Sequence, residues 1–413
     1  MTFKDICLLI LFVAASTTSV WAGAYKDSAH GDTTNGVNRS VMYNKGYAIG
    51  NCAHCHEMHA SLEANEPAPV AGSPSPFTVF ATNFDPLATS PYQESDNFCF
   101  YCHNDSGSVQ QVENKDFSEV FGCASSNIYS VLDAFNQLSY HNLSDIWTFA
   151  KGKFSWFYEQ SNPCDACHNP HLVKRNFAAP ADPAMSVLSK PSEHFSLIGD
   201  ESTELMSKYN YEAPYCSSTT REPAGLGAGD GSDMPDYATY CTDCHQYDGI
   251  SSTNLSRNLY VIDWSSNGDK HGARNADGEL QLELPFSASG YVLSCMDCHE
   301  PHGSQNVVLI RRRVNGGDLG LDITSIETTD WARLCTRCHK DDDDSNQGGP
   351  FEWKYIHHYS DGAPYQNPWK CVRCHGGKPS ENPIPCNYCH FHGGTDAWAN
   401  THAPEYPGNN ITF

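Results

Sequence analysis

The chain has 413 residues and a formal net charge of −24, with 49 acidic against 25 basic side chains. No basic field is available to displace phosphate counterions, which excludes a nucleic-acid binder and favours cationic partners or oxidised iron surfaces. Only 39% of residues are apolar, and 31 glycines and 24 prolines interrupt the chain, so something other than a conventional hydrophobic core must organise it.

The first element in chain order is a secretory signal over residues 1–22. Lys4 precedes an apolar run from Ile6 to Ala15, and small or polar residues lead to Val20-Trp21-Ala22 and Ala22-Gly23-Ala24, two A-x-A-like cleavage points. The run is too short for a membrane helix, and no later stretch approaches the roughly eighteen apolar residues that one needs. The expectation is an exported protein, periplasmic or extracellular, without a membrane span. Cys7 lies inside the apolar run, in the wrong context for lipid attachment.

Sixteen of the 19 cysteines then fall into eight copies of C-x-x-C-H. They are Cys52, Cys55 and His56; Cys99, Cys102 and His103; Cys164, Cys167 and His168; Cys241, Cys244 and His245; Cys295, Cys298 and His299; Cys335, Cys338 and His339; Cys371, Cys374 and His375; and Cys386, Cys389 and His390. Two thiols three residues apart lie on one helical turn, where each can add to a porphyrin vinyl group. The histidine that follows then meets the iron as its proximal ligand. A zinc site uses paired C-x-x-C units but has no reason to demand histidine after the second cysteine, and disulfides between such close pairs would staple nothing. The expected cofactors are eight haem c. Cys123 and Cys216 stand outside the motifs and suit either a disulfide in an oxidising compartment or two separate buried thiols.

Twelve of the 20 histidines remain after the proximal ones, enough for a second axial histidine at every iron. Three motifs continue as C-x-x-C-H-x-x-H, giving His59, His171 and His302, which cannot easily reach back over their own haem and are expected to ligate a neighbour. Ile128, Val131, Leu132, Phe135 and Leu138 have helical spacing and run into His141, so a packed helix is expected to deliver that imidazole. His357 and His358 are adjacent and are expected to point differently, which suits two haems, and His194 and His271 come from long motif-free stretches. These eight are the expected distal ligands. His392 and His402 are reserves, His30 is unassigned, and His54 is expected to face solvent. Methionine ligation is disfavoured by the surplus of histidine.

The expected organisation is an N-terminal part, 23–240, with three motifs and a C-terminal part, 241–413, with five, where haems pack most tightly. The expected fold class is that of a multihaem cytochrome c: mostly irregular backbone, with short helices and a few small β-hairpins, wrapped around a stack of haems that acts as the core. Strand-like runs are Leu280, Leu282, Leu284 and Phe286 in alternation, and Val307 to Ile310. Arg311, Arg312 and Arg313 suit either haem propionates or an exposed basic strand end. Asp341 to Asp344 suit a solvated loop, or less readily a calcium ion.

Cys295-Met-Asp-Cys298-His299-Glu-Pro-His302-Gly-Ser, with Asn306-Val-Val-Leu-Ile-Arg311 after it, is similar to the pattern of multihaem c-type cytochromes of metal-reducing bacteria that carry the doubled C-x-x-C-H arrangement. The resemblance covers all eight motifs. It implies electron transfer along the haems to other multihaem cytochromes or metal-oxide acceptors, with no catalytic residue. Cys52-Ala-His-Cys55-His56-Glu-Met-His59-Ala-Ser also resembles the start of extracellular cytochromes that polymerise into conductive filaments. That implies a homo-polymer in which His59 ligates a haem of the neighbouring subunit. The competing class is an octahaem oxidoreductase acting on a small nitrogen or sulfur compound. Many of those carry C-x-x-C-K, which does not occur here.

Overall fold

The computed structural model describes residues 25–26, 28–34, 36–56, 79–104, 128–171, 174–175, 186–187, 238–262, 295–315, 317–325, 332–335 and 337–338. They belong to two compact units, one drawn from Met1–Asp116 and Ile146–Ser207, the other from Phe117–Asp145 and Lys208–Phe413. Described helices are short, the longest being Leu143–Lys153 with 11 residues, and the described sheets are two-stranded. Glycine and proline density leaves few stretches in which a longer element can propagate.

In the first unit each attachment motif is a single 3-10 turn opened by an asparagine. The Asn51, Asn97 and Asn162 side chains accept from the N–H groups of Ala53, Cys99 and Cys164 respectively. A short amide oxygen suits this place because a helical start leaves its first N–H groups without partners. The turns are closed by the histidine N–H donating to the first cysteine's carbonyl, at 2.9 Å for His56 and 2.8 Å for both His103 and His168. Two sulfurs and one imidazole are thereby presented as a rigid set.

The caps of the second and third motifs also bind each other. Asn97 Nδ2 donates to Asn162 Oδ1 at 3.1 Å, and Asn162 Nδ2 donates to Asn97 Oδ1 at 3.0 Å and to the Asn83 carbonyl at 2.8 Å. Both side chains are buried. Asn162→Ala should therefore cost about 2 kcal/mol, because it strands buried amide groups as well as removing a cap. A denaturant titration followed at the haem absorption band should show the lower midpoint; an unchanged midpoint would mean that water replaces the amide. Below this pair, Ala150 and Phe157 pack on Ala166 of the third motif, with Ile146, Trp147, Phe154 and Trp156 around them.

In the second unit a helix at Val131–Phe135 is capped by Ser130, whose hydroxyl accepts from the Asp133 N–H. Ile128, Leu132, Ala134 and Phe135 are buried, whereas Leu138 is exposed. The helix stops short of His141. The intervening Ser139–Tyr140 is a strand paired antiparallel with Gly303–Ser304, so a strand, not the expected helix, delivers His141. Proximity of this strand to the fifth motif is enforced at Gly303, where an added Cβ would lie 1.9 Å from the Ala134 carbonyl oxygen.

Val307–Leu309 is also not the strand its apolar run suggests. It forms a 3-10 turn with Val308 at φ 46° and Leu309 at φ 62°. Left-handed backbone costs roughly 1–2 kcal/mol at such residues. The turn is held by Asn306, whose Nδ2 donates to the Ile310 carbonyl at 3.0 Å while its Oδ1 accepts from the Ile323 N–H at 2.7 Å. Ile310, Val314, Leu319 and Ile323 form the small core beneath it. Alternation is blind to this because the apolar side chains are buried by a knot of turns.

Candidate haem-binding site

The described motifs bring histidines together in pairs. His56 and His171 have ring centres 6.1 Å apart, His30 and His103 5.9 Å, and His141 and His245 6.1 Å. A metal–imidazole bond of about 2 Å, with about another ångström from that nitrogen to the ring centre, puts two imidazoles on opposite sides of one metal about 6 Å apart. Among the described residues no group of three or more His, Cys, Asp or Glu side chains gathers as a bare-ion site. Paired imidazoles beside paired sulfurs thus fit a metal whose remaining ligands come from a macrocycle. The residues present fit haem c, with the sulfurs as attachment points and the two imidazoles as axial ligands.

One nitrogen of several of these imidazoles is anchored on a backbone carbonyl. His30 Nδ1 lies 2.8 Å from the Pro170 carbonyl oxygen, and His141 Nδ1 lies 2.5 Å from the Pro301 carbonyl oxygen. His299 Nδ1 is 3.1 Å from the Val308 carbonyl oxygen. A carbonyl only accepts, so in each case Nδ1 carries the proton and Nε2 keeps its lone pair for a metal. Burial holds His141 and His171 below the usual imidazole range, with His56 and His30 adding to the effect at His171. Both are thereby kept in the neutral form that ligation requires.

Among the described residues the same arrangement is found in both units. In the first, Tyr25 stands edge-on to His171 at 5.9 Å and His30 leans on Pro170. In the second, Phe135 stands edge-on to His302 at 5.7 Å and His141 leans on Pro301. Each proline lies just before the second histidine of an extended motif. One short segment therefore supplies an imidazole and also orients the imidazole of another pair.

The sulfurs are close across motifs as well as within them. Burial and the neighbouring Cys99 push the Cys55 thiol up to about 11, and burial with Cys55 nearby pushes Cys102 up to about 12. Cys99 is raised well above the ordinary range by its hydrogen bond with Cys164, and Cys298 by burial with Cys338 and Cys335 nearby. None of the twelve described motif cysteines is in a disulfide.

Sequence reasoning left His30 unassigned, because nothing in its immediate sequence marks it; its signal is spatial, at His103 and Pro170. It also missed the three capping asparagines. His54 is not solvent-facing but fully buried: its Nδ1 accepts from the Arg39 N–H at 3.0 Å, and its Nε2 donates to the Ala48 carbonyl at 2.9 Å. With both nitrogens engaged it is a structural residue. Arg311 and Arg312 are paired with carboxylates of the chain, Arg311 with Glu300 at 2.9 Å and Arg312 with Asp318 at 3.0 Å and with Asp322. His59, His194, His271, His339, His357, His358, His375 and His390 lie outside the described residues, as do Cys123, Cys216, Cys371, Cys374, Cys386 and Cys389. So do the signal segment, the 280–286 alternation and the Asp341 to Asp344 run.

Residues 288–344 match the family model described as the doubled CXXCH motif. The match supports a multihaem c-type cytochrome. It spans the fifth and sixth motifs, the two whose sulfurs Cys298, Cys335 and Cys338 lie together. No curated protein and no solved structure matches the chain. Cytochromes of this kind are typically exported, and among the described residues no helix is long and apolar enough to cross a membrane.

Proposed function

We propose that the chain is an electron conduit that holds eight haem c groups and passes electrons to partner cytochromes or to extracellular metal-oxide acceptors. The observation that carries this reading is the set of three imidazole pairs about 6 Å apart, which would fill both axial positions of a haem held between each pair. Haem supplies one-electron exchange between ferric and ferrous iron; the chain supplies spacing, orientation and electrostatics.

The roles of the residues follow from the turns. His56, His103 and His245 are the proximal ligands of the first, second and fourth motifs, and His171, His30 and His141 are their respective distal partners. The carbonyls of Pro170 and Pro301 fix the tautomers of His30 and His141. Close sulfurs across the first three motifs bring neighbouring macrocycles into range for electron exchange. The net charge of −24 favours docking on a cationic or oxidised iron surface.

A pyridine haemochrome count beside a low-temperature EPR spectrum of the oxidised protein tests this. Eight haems per chain, all low-spin, are expected. A high-spin haem that binds nitrite or hydroxylamine would replace the conduit with the oxidoreductase reading.

A further inference from the structure

The second unit contains a buried ion pair that the conduit reading does not use. Arg311 Nη1 lies 2.9 Å from Glu300 Oε2, and Glu300 Oε1 lies 3.4 Å from His302 Nδ1. The Arg311 and Glu300 side chains are 1% and 4% exposed, and His302 is 13% exposed. Burying a carboxylate is costly unless a cation accompanies it, and Arg311 is that cation. Its position is set by the strained Val308–Leu309 turn and by the Arg311 N–H donating to the Cys298 carbonyl at 2.8 Å.

The corresponding place in the third motif is different. Asn169 stands between His168 and His171 as Glu300 stands between His299 and His302. It is neutral, and its Oδ1 accepts from the backbone N–H of His171 at 3.0 Å. At His30 and His141 the Nδ1 partner is a neutral carbonyl. His302 lies 3.4 Å from a carboxylate, whereas the ring neighbours of His171 are Tyr25 and His56.

We propose that Glu300, held by Arg311, is a positioning and tuning residue for His302, setting the haem that His302 ligates at a lower potential than the haem served by His171. The proposal rests on the axial-ligand reading of the second histidine in the extended motifs. A carboxylate beside an axial imidazole favours ferric over ferrous iron, because its negative charge stabilises the more positive state of the metal. The Phe135 edge, 5.7 Å away, fixes the ring plane in which this occurs.

The test compares four proteins, each carrying its full haem complement, by potentiometric titration and EPR: the parent, Glu300→Gln, the double variant Glu300→Gln with Arg311→Met, and His302→Ala. In Glu300→Gln the midpoint of one haem should rise most and its low-spin signal should shift, with a smaller rise at the haem of His141, on which Glu300 also acts. The double variant removes the charges as a pair and keeps the buried volume, so it reads the same effect if the single variant fails to fold. A raised midpoint there supports the carboxylate beside the ring, rather than an uncompensated Arg311, as the agent. A return to the parent value, or no shift in either variant, overturns the proposal. His302→Ala separates the two ideas, because a new high-spin haem upholds ligation whatever Glu300 does, whereas an unchanged spin state refutes the ligation itself.

Discussion

Replacing His141 by alanine should turn one low-spin haem high-spin and leave the haem count unchanged. His141 meets His245 at 6.1 Å between ring centres, and its Nδ1 is held by the Pro301 carbonyl. Thioether attachment at Cys241 and Cys244 does not depend on the distal side, so the macrocycle stays while its sixth ligand goes. Added imidazole should fill the position and restore the low-spin signal. His54→Ala is the matched control: that ring is as well buried, but both of its nitrogens bind the chain, so its loss should reduce stability with no change of spin state. If both variants kept every haem low-spin, the facing pair would be a packing contact rather than a ligand set. If His54→Ala also gave a high-spin haem, spin state would be reporting general loosening.

The attachment residues were legible because the chemistry is local. Two thiols and an imidazole on one turn need only five consecutive residues, and no tertiary information enters. Candidate distal histidines stand out in the sequence only where they too are local, as with His171 and His302, three residues past a motif histidine. His141 was reached from an apolar periodicity that does form a helix, although a short one, and the chain then changes to a strand because Gly303 admits the Ala134 carbonyl. His30 had no such signature, since its meaning lies in a contact 140 residues away. The misreadings of His54 and Val308 share one cause, and the burial of Arg311 against Glu300 goes unseen for the same reason. Each is governed by a hydrogen-bond partner or ion pair brought in by turns, and periodicity carries information about faces of regular elements rather than about turns.

Gly303→Ala should be among the most damaging single-methyl changes in the second unit. The new Cβ would lie 1.9 Å from the Ala134 carbonyl oxygen and 3.1 Å from that of Ser139. Both are backbone atoms, so no side chain can rotate away, and either the helix Val131–Phe135 or the strand must move. Overpacking of a tight site costs about 1–3 kcal/mol, and a rigid backbone contact belongs at or above the top of that range. The movement cannot stay local, because the displaced segment carries Phe135, which packs on His302, and His141, which leans on Pro301. Gly303→Ala should therefore lower the thermal midpoint and also raise the high-spin fraction at the His245 haem. Gly152→Ala is the opposite case, since nothing lies within 4 Å of an added Cβ and the residue is inside the helix Leu143–Lys153. It should stabilise by about 1 kcal/mol through lower backbone entropy in the unfolded chain. A Gly303→Ala protein with parental stability and an all-low-spin spectrum would show that the two segments are not pressed together at this glycine, and that strand pairing alone places His141.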